Sequence, residues 1–503
     1  MSFIPYLIIA PLGFAIFIAM CGRRLRFLSP VSLCLAVAAL VFISLKAAST
    51  VLVSKVITCS LAGSGPLSGI TLVVDGLSGF LLPVINIVAA LAAFYSIGYA
   101  GKYNNDWRFY SLFLLMLAGI NGVLIAGDIF NLYLFLELAA ISGYFLVAFG
   151  LEPEALEASF KYAVMGSVAS IFILLGIVLL YGGAGTLGMA ELSQAVRLGL
   201  NANLVKFVSV LFLMGFGLKA AFVPFHAWLP YAHSAAPAPV SAMLSGVSIK
   251  VLGIYAIARV FFNIFSMTPE ITSLIIALSI LSMLVASFLA FGQSDIKRLF
   301  AYSSISQIGY IGLALAVGTP LAIFGGLLHI VNHSVSKSLL FMSSGIIEKL
   351  KGTRDVNKIS GVISSAPATG YATLLGALSI CGIPPLGGFA SKFIIILACV
   401  LAGRPFSALA AVAASMLTLG YYFKALTPVL FGGSTRSPEI GDSSLAHHKG
   451  LAFMVIPVVI LAVLAIGSLI FLVPGQCKSL LEEAVLALMN GLSYGNIAAG
   501  VLK

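Results

Sequence analysis

Apolar stretches long enough to cross a hydrocarbon core of about 30 Å recur from end to end of this chain, separated by Gly, Pro, Asn or charged residues. That recurrence excludes a soluble domain carrying a single anchor. Of the 503 residues, 61% are hydrophobic and only 9% charged, where an ordinary soluble domain carries roughly 25%. Water cannot cover such a surface, so the membrane is the solvent. The runs predict an all-α polytopic membrane protein with about fourteen transmembrane helices. They fall at roughly 3–20, 30–48, 76–98, 108–126, 129–150, 160–181, 204–225, 237–261, 271–291, 299–317, 320–346, 368–400, 406–428 and 451–473. The first run lacks a basic leader and ends at Arg23, Arg24 and Arg26 rather than at small residues, so it is expected to be a retained helix. A last amphipathic stretch, Ser479 to Leu492, is expected to lie along the surface.

The six cysteines are scattered without close pairing, which predicts neither a disulfide framework nor a metal cluster. The net charge of +11 comes from Lys and Arg spread singly over loops and helices. With no basic stripe, a nucleic-acid partner is not expected. Loops on the face reached after the first helix hold Arg23, Arg24, Arg26, Lys102, Arg108, Lys297, Arg298, Lys349, Lys351, Arg354, Lys358, Arg436 and Lys449. The opposite face holds mainly Lys46, Lys55, Arg197, Lys206, Arg259, Arg404, Lys478 and Lys503. The positive-inside rule makes the first face cytoplasmic, which puts both termini on the outer face of the cell's inner (plasma) membrane.

Ionisable residues far from helix ends are the informative ones. A charge at mid-bilayer costs between about 3 and more than about 10 kcal/mol, so each needs a partner, water or a neutral state. In the fifth helix, Glu137 lies nine residues past Asp128, roughly 14 Å deep at 1.5 Å per residue. The seventh carries Lys219 a little over a turn before Pro224, and a proline inside an apolar helix breaks it where the backbone lines a hydrated cavity. Burial favours a neutral lysine and a nearby carboxylate favours the ammonium. Motion of Glu137 toward or away from Lys219 is therefore expected to switch the lysine between holding and releasing a proton. Lys250 lies deep in the eighth helix, beyond His233, Pro237 and Pro239; whether His233 takes part or is a wetted helix-end residue stays open.

In the eleventh helix, His329, His333 and Lys337 follow at i, i+4 and i+8, one face about 12 Å long. With Asn332, Ser334 and Ser336 between them, they read as a proton wire. Two histidines can also bind zinc, but no third ligand is close in sequence, so no metal is expected. The twelfth helix is interrupted at Gly382-Ile-Pro384-Pro385-Leu-Gly387-Gly388 and resumes through Lys392. Two broken helices with buried lysines suggest inverted repeats, helices four to eight and nine to thirteen. Six lysines expected to be buried (Lys161, Lys219, Lys250, Lys337, Lys392, Lys424) against one mid-helix glutamate argue against static pairing. Asp295-Ile-Lys297-Arg298 is read as a cytoplasmic anchor. Lys424 either snorkels or forms the end of the path.

Several of these segments together resemble one family. They are Pro224-Phe-His226-Ala-Trp228-Leu-Pro230, the run from His233 to Leu244, the run from Asp295 to Gly309, and Gly382-Ile-Pro384-Pro385-Leu-Gly387-Gly388-Phe389. They look like the antiporter-like, proton-translocating subunits of complex I, Mrp cation/proton antiporters and membrane-bound hydrogenases. The resemblance covers about residues 70 to 430. It implies fourteen helices, two inverted five-helix repeats, and broken helices seven and twelve. The implied division is 1–107, 108–262 as first repeat, 263–430 as second, and 431–503. It further implies a charge pair Glu137 and Lys219, a connecting Lys250, a relay His329, His333 and Lys337, and a terminal Lys392. Gln307 stands where many members have histidine. Lys392 replaces the glutamate of one complex I branch, and no long lateral helix follows the fourteenth. The runs Gly127 to Glu137 and Gly185 to Glu191 look closest to the Mrp D-type and hydrogenase-linked branches. The expected function is proton movement in a complex I-related redox complex, with an Mrp protein of the D type as the alternative. The expected partners are other membrane subunits, the lipid bilayer and protons, with Na⁺ a further candidate ion; no cofactor is expected.

Overall fold

The computed structural model describes residues 3–61, 70–101, 103, 106–433 and 446–489, and helices make up nearly all of it. Among the described residues, eleven helices are long and apolar enough to cross a membrane. Tyr6–Cys21 and Gly387–Leu401 are apolar but shorter. Pro320–Lys351 has the length, at 32 residues, yet buries a polar row that includes His329, Asn332, His333 and Lys337. The loop charges Lys102, Arg436 and Lys503, the side chain of Lys449, and the end of the terminal amphipathic stretch lie outside the described residues.

Two local features depart from the sequence reading. The expected loop between 48 and 76 instead extends the second helix to Ser54 and then forms a hairpin, Ile57–Leu61 antiparallel to Ile70–Val74 with Ile57 opposite Val74. Its second strand is β-branched at most positions, which suits a pleated ribbon half covered by protein. The helix Gln476–Met489 does not simply lie along the surface. It buries Leu481, Ala484, Val485 and Leu488 and packs on the helix Gly76–Ala100.

Short polar side chains set several helix starts. Asp75, Asp128 and Asp295 each accept a backbone N–H from the first turn of the helix that follows. Each satisfies a donor that the helix cannot bond internally.

The two breaks position the interior. The helix expected at 204–225 stops at Lys219, and the chain runs irregularly to the short helix Trp228–Ala235. Pro224 has no N–H to continue the ladder. The helix expected at 368–400 divides into Pro367–Cys381 and Gly387–Leu401. Freed backbone groups find partners. Trp228 Nε1 donates to Leu218 O at 3.1 Å, Val223 N donates to Ser282 Oγ at 2.9 Å, and Ser415 Oγ donates to Cys381 O at 3.2 Å. Irregular backbone at membrane depth is tolerated because protein groups take these bonds.

Between the breaks runs Ala238–Ile264, which is buried along nearly its whole length. It contains π-helical turns at Leu244–Ser248, Lys250–Tyr255 and Arg259–Ile264, the wide turns that often occur at functional sites. It presses directly on the first break, since a Cβ on Gly253 would lie 2.5 Å from the Ala220 backbone. The second break closes as tightly: a Cβ on Gly388 would lie 1.8 Å from Ser379 O.

Candidate functional site

At the first break, Lys219 is the last residue of its half-helix and is buried, and its Nζ lies 3.1 Å from Glu137 Oε1. Glu137 comes from the middle of Ile129–Val147, is 21% exposed, and accepts a short hydrogen bond from Ser170 Oγ. The carboxylate therefore has a second protein partner beside the ammonium. A close ion pair in a low-dielectric interior is stable only while both charges remain together.

Lys250 is buried, and its amine reaches back to Ser245 O, five residues earlier on the widened turn. Ser245 Oγ lies 2.7 Å from Ser304 Oγ, and Ser304 Oγ donates to Phe300 O at 2.9 Å. That carbonyl also accepts from Lys337 Nζ at 2.9 Å, and Lys337 donates to Tyr422 OH at 3.1 Å. A run of polar contacts thus links the interior of Ala238–Ile264 to the helix Pro320–Lys351. Among the described residues no hydrogen bond joins Lys219 directly to Lys250.

On Pro320–Lys351, the His329 and His333 rings stack nearly parallel, with centroids 6.2 Å apart and an interplanar angle of 7°. His329 Nδ1 is 2.9 Å from Ser391 Oγ, and its ring centroid is 5.7 Å from that of Tyr310. Lys392 Nζ lies 4.8 Å from the Tyr310 centroid and donates to Ile380 O at 2.7 Å. The structure thus brings His329, His333 and Lys392 into one neighbourhood. Lys392 follows its break whereas Lys219 precedes its own, so the two lysines are not mirror images in chain order.

His333 Nδ1 and Nε2, His329 Nε2, Ser334 Oγ and both Gln307 amide atoms are buried without a hydrogen-bond partner in the protein. Buried polar groups of this kind are where internal water binds. His233 is fully buried against Phe341 and Trp228, with centroids 5.7 and 6.2 Å away, so it is not a wetted helix-end residue. Among the described residues no group of three or more His, Cys, Asp or Glu is placed to hold a metal ion. Chemically, the arrangement offers a series of buried bases, with the Glu137 carboxylate beside the first of them. That equipment suits proton transfer rather than bond making.

Two of the six lysines expected to be buried are not. Lys161 is 39% exposed, pairs with Glu157 at 2.6 Å and lies over the Tyr231 ring. Lys424 is exposed and donates to Phe291 O at 3.2 Å. Apolar neighbours in sequence signal membrane depth, and lipid-facing positions share that signal with interior ones.

Conversely, two residues read as loop or anchor are buried. Arg259 is fully buried and chelates Asp75 through both terminal nitrogens, with Ser78 Oγ 2.9 Å away. Its signal in the sequence is a single arginine inside the apolar run Ile254 to Phe265. Lys297 is 2% exposed, donates to Ala236 O at 3.1 Å and lies 3.5 Å from Glu348. Asp295 caps the helix and pairs with Arg354 at 3.3 Å, so this motif is more than a surface anchor.

Comparison with known proteins gives a consistent result. The family described as "NADH:quinone oxidoreductase/Mrp antiporter, TM" matches residues 126–418. The D component of the Na(+)/H(+) antiporter of Alkalihalophilus pseudofirmus is 33% identical, over 79% of this chain and 80% of that protein. The N component of the NADH-quinone oxidoreductase of Desulforudis audaxviator is 36% identical, over 73% and 74%. A chain in the structure of the membrane-bound sulfane sulfur reductase, an archaeal respiratory membrane complex, superposes with a TM-score of 0.89 at 31% identity. It covers 98% of this chain and 99% of that one.

Proposed function

This chain belongs to the NADH:quinone oxidoreductase/Mrp antiporter transmembrane family, and we propose that it is the proton-translocating, antiporter-like subunit of a complex I-related redox complex. The observation that carries the reading is the Lys219–Glu137 pair at a broken helix, 3.1 Å apart. It stands at one end of a buried series formed by Lys250, Lys337, His333, His329 and Lys392. In this reading the pair is a switch. With Glu137 in contact, the ammonium of Lys219 is held. When Glu137 swings away, an unpaired charge in the interior is the costly state, and Lys219 passes its proton on toward Lys250. Lys337 and the two histidines carry it to Lys392. Electron transfer would belong to other subunits, whose redox work moves Glu137.

The reading extends to organisation. The first repeat spans 108–262 and the second 263–430, with 1–107 and 431–503 flanking them. The protein sits in the inner (plasma) membrane with both termini outside, beside other membrane subunits. A second reading, a D-type component of a multisubunit Na⁺/H⁺ antiporter, is favoured by the likeness to an antiporter D component over 79% of the chain.

Proton uptake into vesicles containing the assembled complex tests both readings, first under redox drive and then under a sodium gradient. Lys219→Ala and Glu137→Ala are expected to abolish redox-driven uptake. Loss only of sodium-driven exchange would transfer support to the antiporter reading. Wild-type uptake by both variants under both drives would sink the charge pair as a working element.

A further inference from the structure

Five charged residues, Arg354, Lys297, Glu348, Asp295 and Glu154, converge where the helix carrying His233 ends. Arg354 Nη1 donates to Ser234 O at 2.6 Å, and Lys297 Nζ donates to Ala236 O at 3.1 Å. Two cations thus hold the two carbonyls that flank the end of Trp228–Ala235. Glu348 bridges them, with its oxygens 3.5 Å from Lys297 and 3.8 Å from Arg354. Asp295 and the more exposed Glu154 also pair with Arg354, each at 3.3 Å, which leaves that guanidinium engaged on several sides.

The exposures are graded. Glu348 is 36% exposed, Lys297 is 2% exposed, and His233 is fully buried. A static clamp has no need of a lysine hidden behind a partly exposed carboxylate. Lys297 also stands on the inner line: it lies one turn before Phe300 on the same helix, and Phe300 O is the carbonyl that Lys337 and Ser304 bond.

Building on the proton-transfer reading, we infer that Glu348 and Lys297 form a proton intake on this side of the membrane, leading through the buried His233 to the interior series, with Arg354 fixing their geometry. The Glu348 carboxylate takes a proton from water. The Lys297 ammonium gives its proton inward to the neutral His233 imidazole, through internal water, and the resulting amine is restored by the proton on Glu348. Charge is conserved at each transfer, and the net movement is one proton inward. Glu348 and Lys297 pass protons; Arg354 is a positioning residue.

The test uses the assembled complex in vesicles under redox drive, read as membrane potential, because a permeant weak acid does not collapse that signal as it would a pH gradient. Glu348→Ala is expected to slow potential formation about tenfold or more, the scale on which a positioned proton-transfer group acts. Millimolar formate, a small carboxylic acid, is expected to restore a substantial part of the rate. Glu348→Asp is expected to retain most of it. If Glu348→Ala fails to assemble, Glu348→Gln, which keeps the shape and an acceptor for Lys297 but cannot take up a proton, is expected to show the same loss without rescue, since its side chain fills the space that formate would take.

A wild-type rate in either neutral variant overturns the intake. A slow rate in Glu348→Ala that formate leaves unchanged also overturns it and assigns the cluster to holding the fold. Failure here is separable from failure of the broader reading. A Lys219→Ala variant that is inactive beside a fully active Glu348→Ala sinks the intake alone, whereas full activity in both sinks the proton series itself.

Discussion

The two broken helices solve the same problem in different ways. At the first, the buried lysine faces a carboxylate from another helix, Glu137, which is itself hydrogen-bonded to Ser170. There Leu218 O accepts from both Trp228 Nε1 and Ala221 N, and Lys219 is paired with Glu137. At the second, Lys392 donates to the freed carbonyl of Ile380, and among the described residues no carboxylate lies within ion-pair distance of it. A lysine held by a side chain responds when that side chain moves. A lysine held by the backbone has a partner that stays in place. In the proposed mechanism this contrast would make the first break the responsive element and the second a fixed terminus.

The largest expected effect comes from removing the charge that distinguishes the first break. Glu137→Gln keeps the shape but not the carboxylate, and vesicle proton uptake is expected to fall about tenfold or more. Ser391→Ala, which removes the partner of His329 near the second break, is expected to cost only a few-fold, and equal losses would erase the distinction. Next is a difference in packing. Gly388→Ala forces a Cβ to 1.8 Å from a backbone oxygen and Gly253→Ala to 2.5 Å from backbone atoms. Overpacking of this kind costs about 1–3 kcal/mol or more, so thermal unfolding in detergent is expected to drop for both, further for Gly388→Ala. The reverse order would show the first break to be the more rigid one. Ser415→Ala leaves Cys381 O without its donor, for an expected loss of about 1–3 kcal/mol by the same thermal measurement. Trp228→Phe removes one donor from Leu218 O, which keeps the Ala221 N–H at 3.1 Å, and is expected to cost about 0.5–1.5 kcal/mol.

Much of the fold is legible in the chain. Pro224, and Pro384 with Pro385 and Gly388, mark the breaks because proline ends a helix by its own covalent structure, whatever surrounds it. The row His329, His333 and Lys337 shares a face because helical spacing requires it. The hairpin escapes a reading by hydropathy because two five-residue strands carry little periodic signal beside helices several times as long. Lys161 and Lys424 look interior in sequence because lipid and protein select the same apolar neighbours, while Arg259 and Lys297 look peripheral because they lie near helix ends. In each case the missing information is the identity of the element across the gap.

Local composition and the rise of a helix along its own axis are enough to establish that this chain lives in a membrane, where its helices break, and how far along them its ionisable groups fall. Which of those groups meet is settled by the assembled fold alone. Glu137 and Lys219 are 82 residues apart, and Asp75 and Arg259 are 184 apart. Hydropathy reports the solvent around a helix but not which neighbour covers each face, and a buried charge is tolerable only in the presence of that neighbour.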